Sequence, residues 1–225
     1  METAFATLKT DFLQNSSAQA AEKMSAYMLN QFPFIGLTAP FRRQLASTFI
    51  KSSITEPLEK IFTVVDALWD LPQREFQYIA IDLMQKNIKR LNLAHLPFLL
   101  DLALKKSWWD SVDGLASISN KIFRQSQKPD YLHLVEKAIL DENLWIRRIA
   151  LLHQLGWKDK TDTDLLYSFA LQNAADTNFF IQKAIGWSLR DYAKYNPTGV
   201  YRFIDQNKGM LSKLTYREAG KHRTE

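Results

Sequence analysis

The chain repeats itself about every 35 residues, six times in all, and this period constrains its fold more than any other feature. The equivalent positions, which we call anchors, carry apolar or aromatic side chains: Phe41, Phe76, Val112, Ile146, Ile181 and Tyr216. Four residues after each anchor the side chain is again apolar or small: Leu45, Ala80, Ala116, Ala150, Ile185 and Gly220. A fixed period of this length indicates an array of helix pairs, each packed mainly against its neighbours.

Helical periodicity extends through nearly all of the chain, and no convincing pair of strands interrupts it. The pattern predicts a first helix that ends near residues 15–17 and a second from about Ala18 to Gln31. Most of the seven prolines fall near predicted helix starts or between helices, where proline costs no helical hydrogen bond. We therefore predict an all-α fold, a right-handed superhelical solenoid of HEAT-like repeats, forming one domain over residues 1–225.

The composition favours some classes of function and disfavours others. The formal net charge of +5 favours a polyanionic partner such as nucleic acid. The chain has no cysteine, which excludes disulfides and thiolate chemistry, and its four histidines are too scattered to predict a zinc site. We find no secretory signal and no apolar run long enough to span a bilayer. A cytoplasmic protein without membrane association is therefore expected.

Cations recur in the two positions that follow the anchors. They are Arg42, Arg43, Arg147, Arg148, Lys183 and Arg217. If the anchor-bearing helices form one layer of the array, stacked repeats would merge these cations into a basic stripe suited to a phosphate backbone. A set of ordinary solvated helix faces is the alternative, and the residues alone leave both interpretations open.

Asp113 breaks the chemistry of the register, since the five equivalent positions carry arginine or glutamine. Trp109 is an exception too, because the position three before the other anchors is polar in every repeat. The two side chains are four residues apart and would share one face of a helix. An indole ring beside a carboxylate suits a flat cationic group. In the other interpretation the tryptophan is a packing residue and Asp113 pairs with a neighbouring arginine.

Four segments carry a family resemblance. Residues 106–113 read Lys-Ser-Trp-Trp-Asp-Ser-Val-Asp, and residues 179–187 read Phe-Phe-Ile-Gln-Lys-Ala-Ile-Gly-Trp. With residues 68–77 and 190–197, they resemble the AlkD-type DNA alkylation repair glycosylases over nearly the whole chain. The resemblance implies HEAT-like repeats and excision of cationic alkylpurines, notably 3-methyladenine and 7-methylguanine, from double-stranded DNA without a cofactor. We expect a monomer.

The resemblance also implies roles for individual residues. Asp113 matches the catalytic carboxylate of the family, and Trp109 and Trp187 match residues that frame the deoxyribose of the lesion. Arg148 matches an arginine that contacts DNA beside the active site, and Tyr27 matches a tyrosine that lines the same cleft.

Three further cations complete the predicted DNA-binding set. Arg43 fits the basic N-terminal repeat of the family, while Arg147 and Lys183 belong to the cationic columns beside the anchors. The register alone does not direct Trp187 towards Asp113, because it lies six residues past its anchor. The C-terminus departs from the family pattern, since Gly220 weakens a final helix that the relatives extend.

Two other classes of function compete with a glycosylase. One is a catalytically silent HEAT-like adaptor that binds a protein, and the other is a DNA-binding relative that excises nothing. Intact Trp109, Asp113 and Trp187 favour the glycosylase over the silent DNA binder.

Overall fold

The computed structural model describes residues 2–223, a range that contains thirteen α-helices and no β-strand. The helices are α1 (Glu2–Gln14), α2 (Ala18–Tyr27), α3 (Ala39–Ser52), α4 (Leu58–Asp70), α5 (Arg74–Lys86), α6 (Leu96–Leu104), α7 (Trp109–Gln125), α8 (Lys128–Ala138), α9 (Leu144–Leu151), α10 (Thr163–Gln172), α11 (Phe179–Ala193), α12 (Pro197–Gln206) and α13 (Lys213–Ala219). The predicted all-α class and helical-repeat fold are confirmed.

The six anchors fall at one position of every second helix. They lie in α3, α5, α7, α9, α11 and α13, at the third or fourth residue of each. Four anchors are buried, with exposed fractions of 4% or less: Phe76, Val112, Ile146 and Ile181. The sequence period is therefore a period of helix pairs, in which the second helix buries its anchor in the four inner pairs.

Local signals explain where the helices begin. Asn143 and Asn178 accept the N–H of the residue two positions later at the starts of α9 and α11, and Ser212 accepts the N–H of Thr215 at the start of α13. These side chains satisfy N–H groups that have no partner within the helix. A proline occupies the first turn of α3, α6, α8 and α12, as the sequence predicted.

Helix α2 is shorter than predicted, since it ends at Tyr27 rather than near Gln31. Leu29 and Asn30 have φ angles of 54° and 57°. The N–H of Asn30 donates to the carbonyl of Ser25 at 2.8 Å. A left-handed turn therefore closes the helix, an ending that the apolar periodicity of the segment does not reveal.

The helices form two compact units, with the division between Leu91 and Asn92. In the first unit, the buried carboxylate of Glu75 accepts the backbone N–H groups of Ile35, Gly36 and Leu37. This contact fixes the loop between α2 and α3. Gly36 is required there, because its φ is 94° and a Cβ would lie 2.2 Å from the carbonyl oxygen of Ser17.

The second unit contains α6 to α13. Helices α7, α9 and α11 pack in sequence, with α9 against both of the others. Their buried side chains include Val112, Leu115, Ile149 and Ile185. None of the helices within residues 2–223 has the length and apolarity of a membrane-spanning segment. The prediction of a single domain over the whole chain stays a prediction.

Candidate active site

The carboxylate of Asp113 is held in a fixed orientation by one arginine. Asp113 lies on α7 and Arg148 on α9, 35 residues later. Arg148 donates from Nε to Oδ1 of Asp113 over 2.7 Å and from Nη2 to Oδ2 over 2.9 Å. Its third nitrogen, Nη1, donates to the carbonyl oxygen of Phe180 on α11 over 2.6 Å. A bidentate pair of this kind defines the plane of the carboxylate as well as its distance.

The pair lies largely out of water, with side-chain exposures of 6% for Arg148 and 20% for Asp113. Burial raises the pKa of the Asp113 carboxyl above its usual range, while the hydrogen bonds and charge of Arg148 act in the opposite direction. The neighbouring carboxylate of Asp110 adds a smaller upward contribution to this pKa. The guanidinium of Arg148 thus offsets part of the cost of keeping a charged carboxylate in a buried place.

Asp113 faces a cavity of about 230 Å³ in the second unit. The other lining residues are Ala116, Ser117 and Asn120 from α7, Leu152 and Leu155 after α9, and Trp187 from α11. The structure therefore brings Trp187 to the cavity of Asp113, which the register alone did not predict. Helix α11 contributes twice, because it also provides the Phe180 carbonyl that holds Arg148.

Asn120 and Ser117 line this cavity without having been singled out from the sequence. The carboxamide of Asn120 donates to the carbonyl of Leu155 at 3.0 Å and accepts the indole N–H of Trp157 at 3.1 Å. Asn120 thereby fixes the turn that follows α9. Helical spacing could have identified both residues, because Ser117 lies four positions and Asn120 seven positions after Asp113 on the same face of α7.

An aromatic cluster joins the N-terminal ends of the three helices that build the site. Trp108, directly before α7, lies 6.0 Å from Trp145 of α9 and 5.1 Å from Phe180 of α11, between ring centroids. Trp145 and Phe180 are 5.0 Å apart. Phe180 also presents its backbone carbonyl to Arg148. The aromatic cluster therefore fixes the distance between α7, which carries Asp113, and the carbonyl that orients Arg148.

Trp109 is the first residue of α7 and is half-buried. It lies one helical turn before Asp113, as predicted. Within the described part of the chain, Trp109 is not among the residues that line the cavity in front of Asp113. Its role beside the deoxyribose stays a prediction.

Besides Arg148, two more of the predicted DNA-binding cations have partners inside the protein. Arg147 donates to the carbonyl oxygens of Asp141 and Glu142 and pairs with Asp176 at 2.6 Å. Lys183 pairs with Glu218 at 3.0 Å. These contacts stabilise the turn before α9 and join α11 to α13, and both DNA contacts stay predictions.

The first unit holds the two other predicted DNA-binding residues. Tyr27 is 72% exposed and borders a cavity of about 310 Å³ within that unit, while Arg43 is exposed on α3. Arg42, by contrast, is only 7% exposed, with its guanidinium 4.6 Å from the ring centroid of Tyr78. Arg42 therefore belongs neither to a basic stripe nor to a solvated helix face, the two interpretations that the residues left open, because its guanidinium is buried. Arg148 is likewise turned inward, onto Asp113.

Within residues 2–223, no three or more histidine, aspartate or glutamate side chains come close enough together to hold a metal ion. The polar groups at the cavity are the carboxylate of Asp113, the hydroxyl of Ser117 and the amide of Asn120. This set can hold a water molecule or face a positive charge next to one carboxylate.

Comparisons with known proteins agree with this architecture. The sequence model of the DNA alkylation repair enzyme family matches residues 8–222. A solved structure described as a predicted DNA alkylation repair enzyme from Enterococcus faecalis is 37% identical, with a TM-score of 0.84 over 93% of this chain and 97% of that one.

Two solved structures from Streptococcus mutans are more distant. AlkD2 is 20% identical, with a TM-score of 0.64 over 90% of this chain and 98% of that one. The protein smu.31 of strain UA159 is also 20% identical, with a TM-score of 0.62 over 80% and 90%. At this identity they support the fold alone. No curated protein matched the chain.

Proposed function

The chain belongs to the DNA alkylation repair enzyme family, and from that premise we propose that it is a monofunctional DNA glycosylase. Its substrates are cationic N3- and N7-alkylated purines in double-stranded DNA, such as 3-methyladenine and 7-methylguanine. It hydrolyses the N-glycosidic bond of these nucleotides as the first step of base excision repair.

The observation that carries the proposal is the geometry of Asp113. Both of its oxygens are fixed by Arg148, yet its side chain keeps 20% exposure and faces a cavity beside Trp187. An ion pair that served only the stability of the fold would gain nothing from a carboxylate that faces a cavity on one side. A carboxylate that is oriented in advance and open on one side can stabilise a positive charge that develops next to it.

The chemistry of the substrate explains why one carboxylate suffices. Alkylation at N3 or N7 makes the purine cationic, so it departs as a neutral base with the electron pair of the glycosidic bond. Positive charge then develops on the deoxyribose around C1′ and its ring oxygen. Water forms the new bond to C1′ and loses a proton. Asp113 stabilises the charge on the sugar and orients or deprotonates that water.

The aromatic residues complement the carboxylate. Trp187 forms one wall of the cavity in front of Asp113, and an indole face attracts a cationic group without a hydrogen bond. Trp109, one turn before Asp113 on α7, would pack against the same deoxyribose. Trp187 would also exclude bulk water from its side of the cavity, which strengthens the electrostatic contribution of Asp113.

Tyr27 has no positive charge, and the guanidinium of Arg148 is turned inward onto Asp113 and the Phe180 carbonyl, so neither is assigned a phosphate. The three other predicted DNA-binding residues, Arg43, Arg147 and Lys183, would hold the duplex through its phosphates, without reading its sequence. Of these, Arg43 is exposed and Lys183 is half-buried beside Glu218. The net charge of +5 supports this role, because phosphate contacts dominate the affinity of DNA-binding proteins.

The test is the release of free 3-methyladenine and 7-methylguanine from methylated duplex DNA under single-turnover conditions, without added metal. Wild type should release both bases. Asp113→Asn should release them about a hundredfold more slowly or worse, while binding duplex DNA as wild type does. Binding without release by either protein would contradict the proposal and favour a silent DNA-binding relative. The absence of both DNA binding and base release would favour a HEAT-like adaptor that binds a protein.

A further inference from the structure

A second cavity lies in the same unit, among α6, α7, α8 and α9, and has a volume of about 360 Å³. Its lining is mainly apolar and includes Leu96 and Leu100 from α6, Phe123 from α7, Val135 from α8, and Ile146 and Ile149 from α9. This volume falls within the range of small-molecule sites in proteins, which are mostly apolar with a few placed polar groups.

The cavity contains one polar group that the protein leaves unsatisfied. Ser119 on α7 lines the cavity and is fully buried, and its hydroxyl has no hydrogen-bond partner among the described residues. A helical serine ordinarily bonds back to a carbonyl of the preceding turn. A buried hydroxyl without a partner is unfavourable, and a bound molecule with a hydrogen-bonding group would supply the missing partner.

The charged lining residues indicate which molecules the cavity would accept. Asp101 and Lys137 are exposed and Asp141 is half-buried. Two carboxylates against one ammonium group give no net attraction for an anionic head group. A cation gains little either, because Asp101 is exposed to water and the carboxylate of Asp141 already accepts the N–H of Asn143 at 2.8 Å. The rest of the lining is mainly apolar and gives no partner to a charge of either sign. The chemistry is therefore that of an uncharged molecule.

This cavity is separate from the candidate active site, and the two share no lining residue. They are lined by different faces of α7. Helix α7 presents Asp113 to one cavity and Ser119 to the other, while α9 presents Ile149 to the apolar cavity and carries Arg148, the partner of Asp113.

We propose that the cavity between α6 and α8 binds an uncharged, largely apolar small molecule that directs one hydrogen-bonding group at the hydroxyl of Ser119. The apolar lining provides most of the affinity, and Ser119 fixes the orientation of the molecule. The proposal does not depend on glycosylase activity.

The probe for this site is N-phenyl-1-naphthylamine, an uncharged aromatic amine with one N–H group whose fluorescence rises in apolar surroundings. Wild type should show a saturable rise. Ala138→Trp, which places an indole in the cavity from α8, should abolish it. Ser119→Ala should weaken binding about fivefold, the equivalent of one hydrogen bond. The sulfonated analogue of the probe, an anion with the same ring system, should bind more weakly than the amine.

Base release from methylated DNA and thermal unfolding of Ala138→Trp control for its folding, since Ala138 lies outside the active site. If this variant fails to fold, Leu100→Trp fills the same cavity from α6. No rise with wild type, or an undiminished rise with a folded filled variant, would overturn the proposal. Unchanged affinity in Ser119→Ala would overturn the role of the hydroxyl.

Discussion

The Asp113–Arg148 pair of the second unit and the Asp82–Arg42 pair of the first unit use the same two residue types in different geometry. Both arginines are buried, and burial raises the pKa of both carboxyl groups. Arg148 makes two directed hydrogen bonds of 2.7 and 2.9 Å to Asp113. Arg42 approaches Asp82 only to 3.7 Å, and no hydrogen-bond partner of its Nε lies within residues 2–223.

The surroundings of the two pairs differ as well. Asp113 opens onto a cavity beside Trp187, whereas the guanidinium of Arg42 lies over Tyr78 and Asp82 is absent from the lining of the neighbouring cavity. Residue type, burial and the direction of a pKa shift therefore do not identify a reactive carboxylate. Exposure does not identify it either, since the side chain of Asp82 is 26% exposed and that of Asp113 is 20%. We propose that a fixed orientation towards a cavity does, and the following variants test that difference.

The largest effect of an arginine substitution should appear in the second unit. Arg148→Ala leaves Asp113 buried without its partner, which should cost about 3 kcal/mol of unfolding free energy. Base release should fall about a hundredfold, because the carboxylate loses its defined position. Urea unfolding and single-turnover release measure the two effects. Normal release by a folded Arg148→Ala protein would show that the orientation of Asp113 is unimportant.

Removal of the aromatic wall should have an intermediate effect. Trp187→Ala should slow base release about tenfold, which corresponds to the loss of one cation–aromatic contact near the sugar. Trp187→Phe keeps a ring face and should retain most of the rate. If the two substitutions slow release equally, the ring face of Trp187 is not what stabilises the reaction.

The Asp82–Arg42 pair of the first unit should affect stability and not base release. Its effect on stability should be smaller than that of the Asp113–Arg148 pair. Arg42→Gln should cost about 1 kcal/mol of unfolding free energy, because it removes a loose contact and leaves a polar group in place. Base release should match wild type. A loss of release as large as that of Arg148→Ala would remove the distinction between the two regions.

The smallest effect concerns the acid side of the pH–rate profile. Release requires the ionised form of Asp113, whose pKa is raised by burial, so the rate should begin to fall at a higher pH than an ordinary aspartate with a pKa of 3.8 would give. Arg148→Gln removes the group that opposes this shift. The fall should therefore move to a still higher pH. Asp82→Asn should leave the pH–rate profile unchanged. If the profile shifts in Asp82→Asn and not in Arg148→Gln, its acid side reports the ionisation of Asp82 rather than of Asp113.

Acid unfolding must be separated from that profile. Burial lowers the pKa of His153 to about 4, so the folded state favours its neutral form. The stability that this contributes is complete above the unfolded pKa of about 6.5 and is lost as pH falls through the folded value. Circular dichroism at each pH shows whether a fall in release precedes unfolding.

Much of this architecture could be predicted from the sequence, because the period of about 35 residues directly reflects pairs of helices. The anchors Val112, Ile146 and Ile181 are buried in the helices that build the site. The early end of α2 could not be predicted, since it depends on positive φ angles at Leu29 and Asn30. Apolar spacing carries no information on such turns.

For the site, the sequence identified Asp113 as an exception and left two interpretations open. The structure shows that Asp113 does pair with an arginine and also faces a cavity, so the two interpretations are not exclusive. The choice of Arg148 rather than the adjacent Arg147 could not be predicted, because it depends on how α9 is rotated against α7. The same holds for the carbonyl of Phe180, since a backbone oxygen leaves no trace in residue identity.

The most direct test of the account compares two isosteric variants, Asp113→Asn and Asp82→Asn, for single-turnover release of 7-methylguanine from methylated duplex DNA. Each removes one buried carboxylate charge beside an arginine. We predict that Asp113→Asn slows release about a hundredfold or more with DNA binding retained, whereas Asp82→Asn releases the base as wild type does. Equal rates for the two variants would contradict the claim that the carboxylate fixed by Arg148 is the catalytic group.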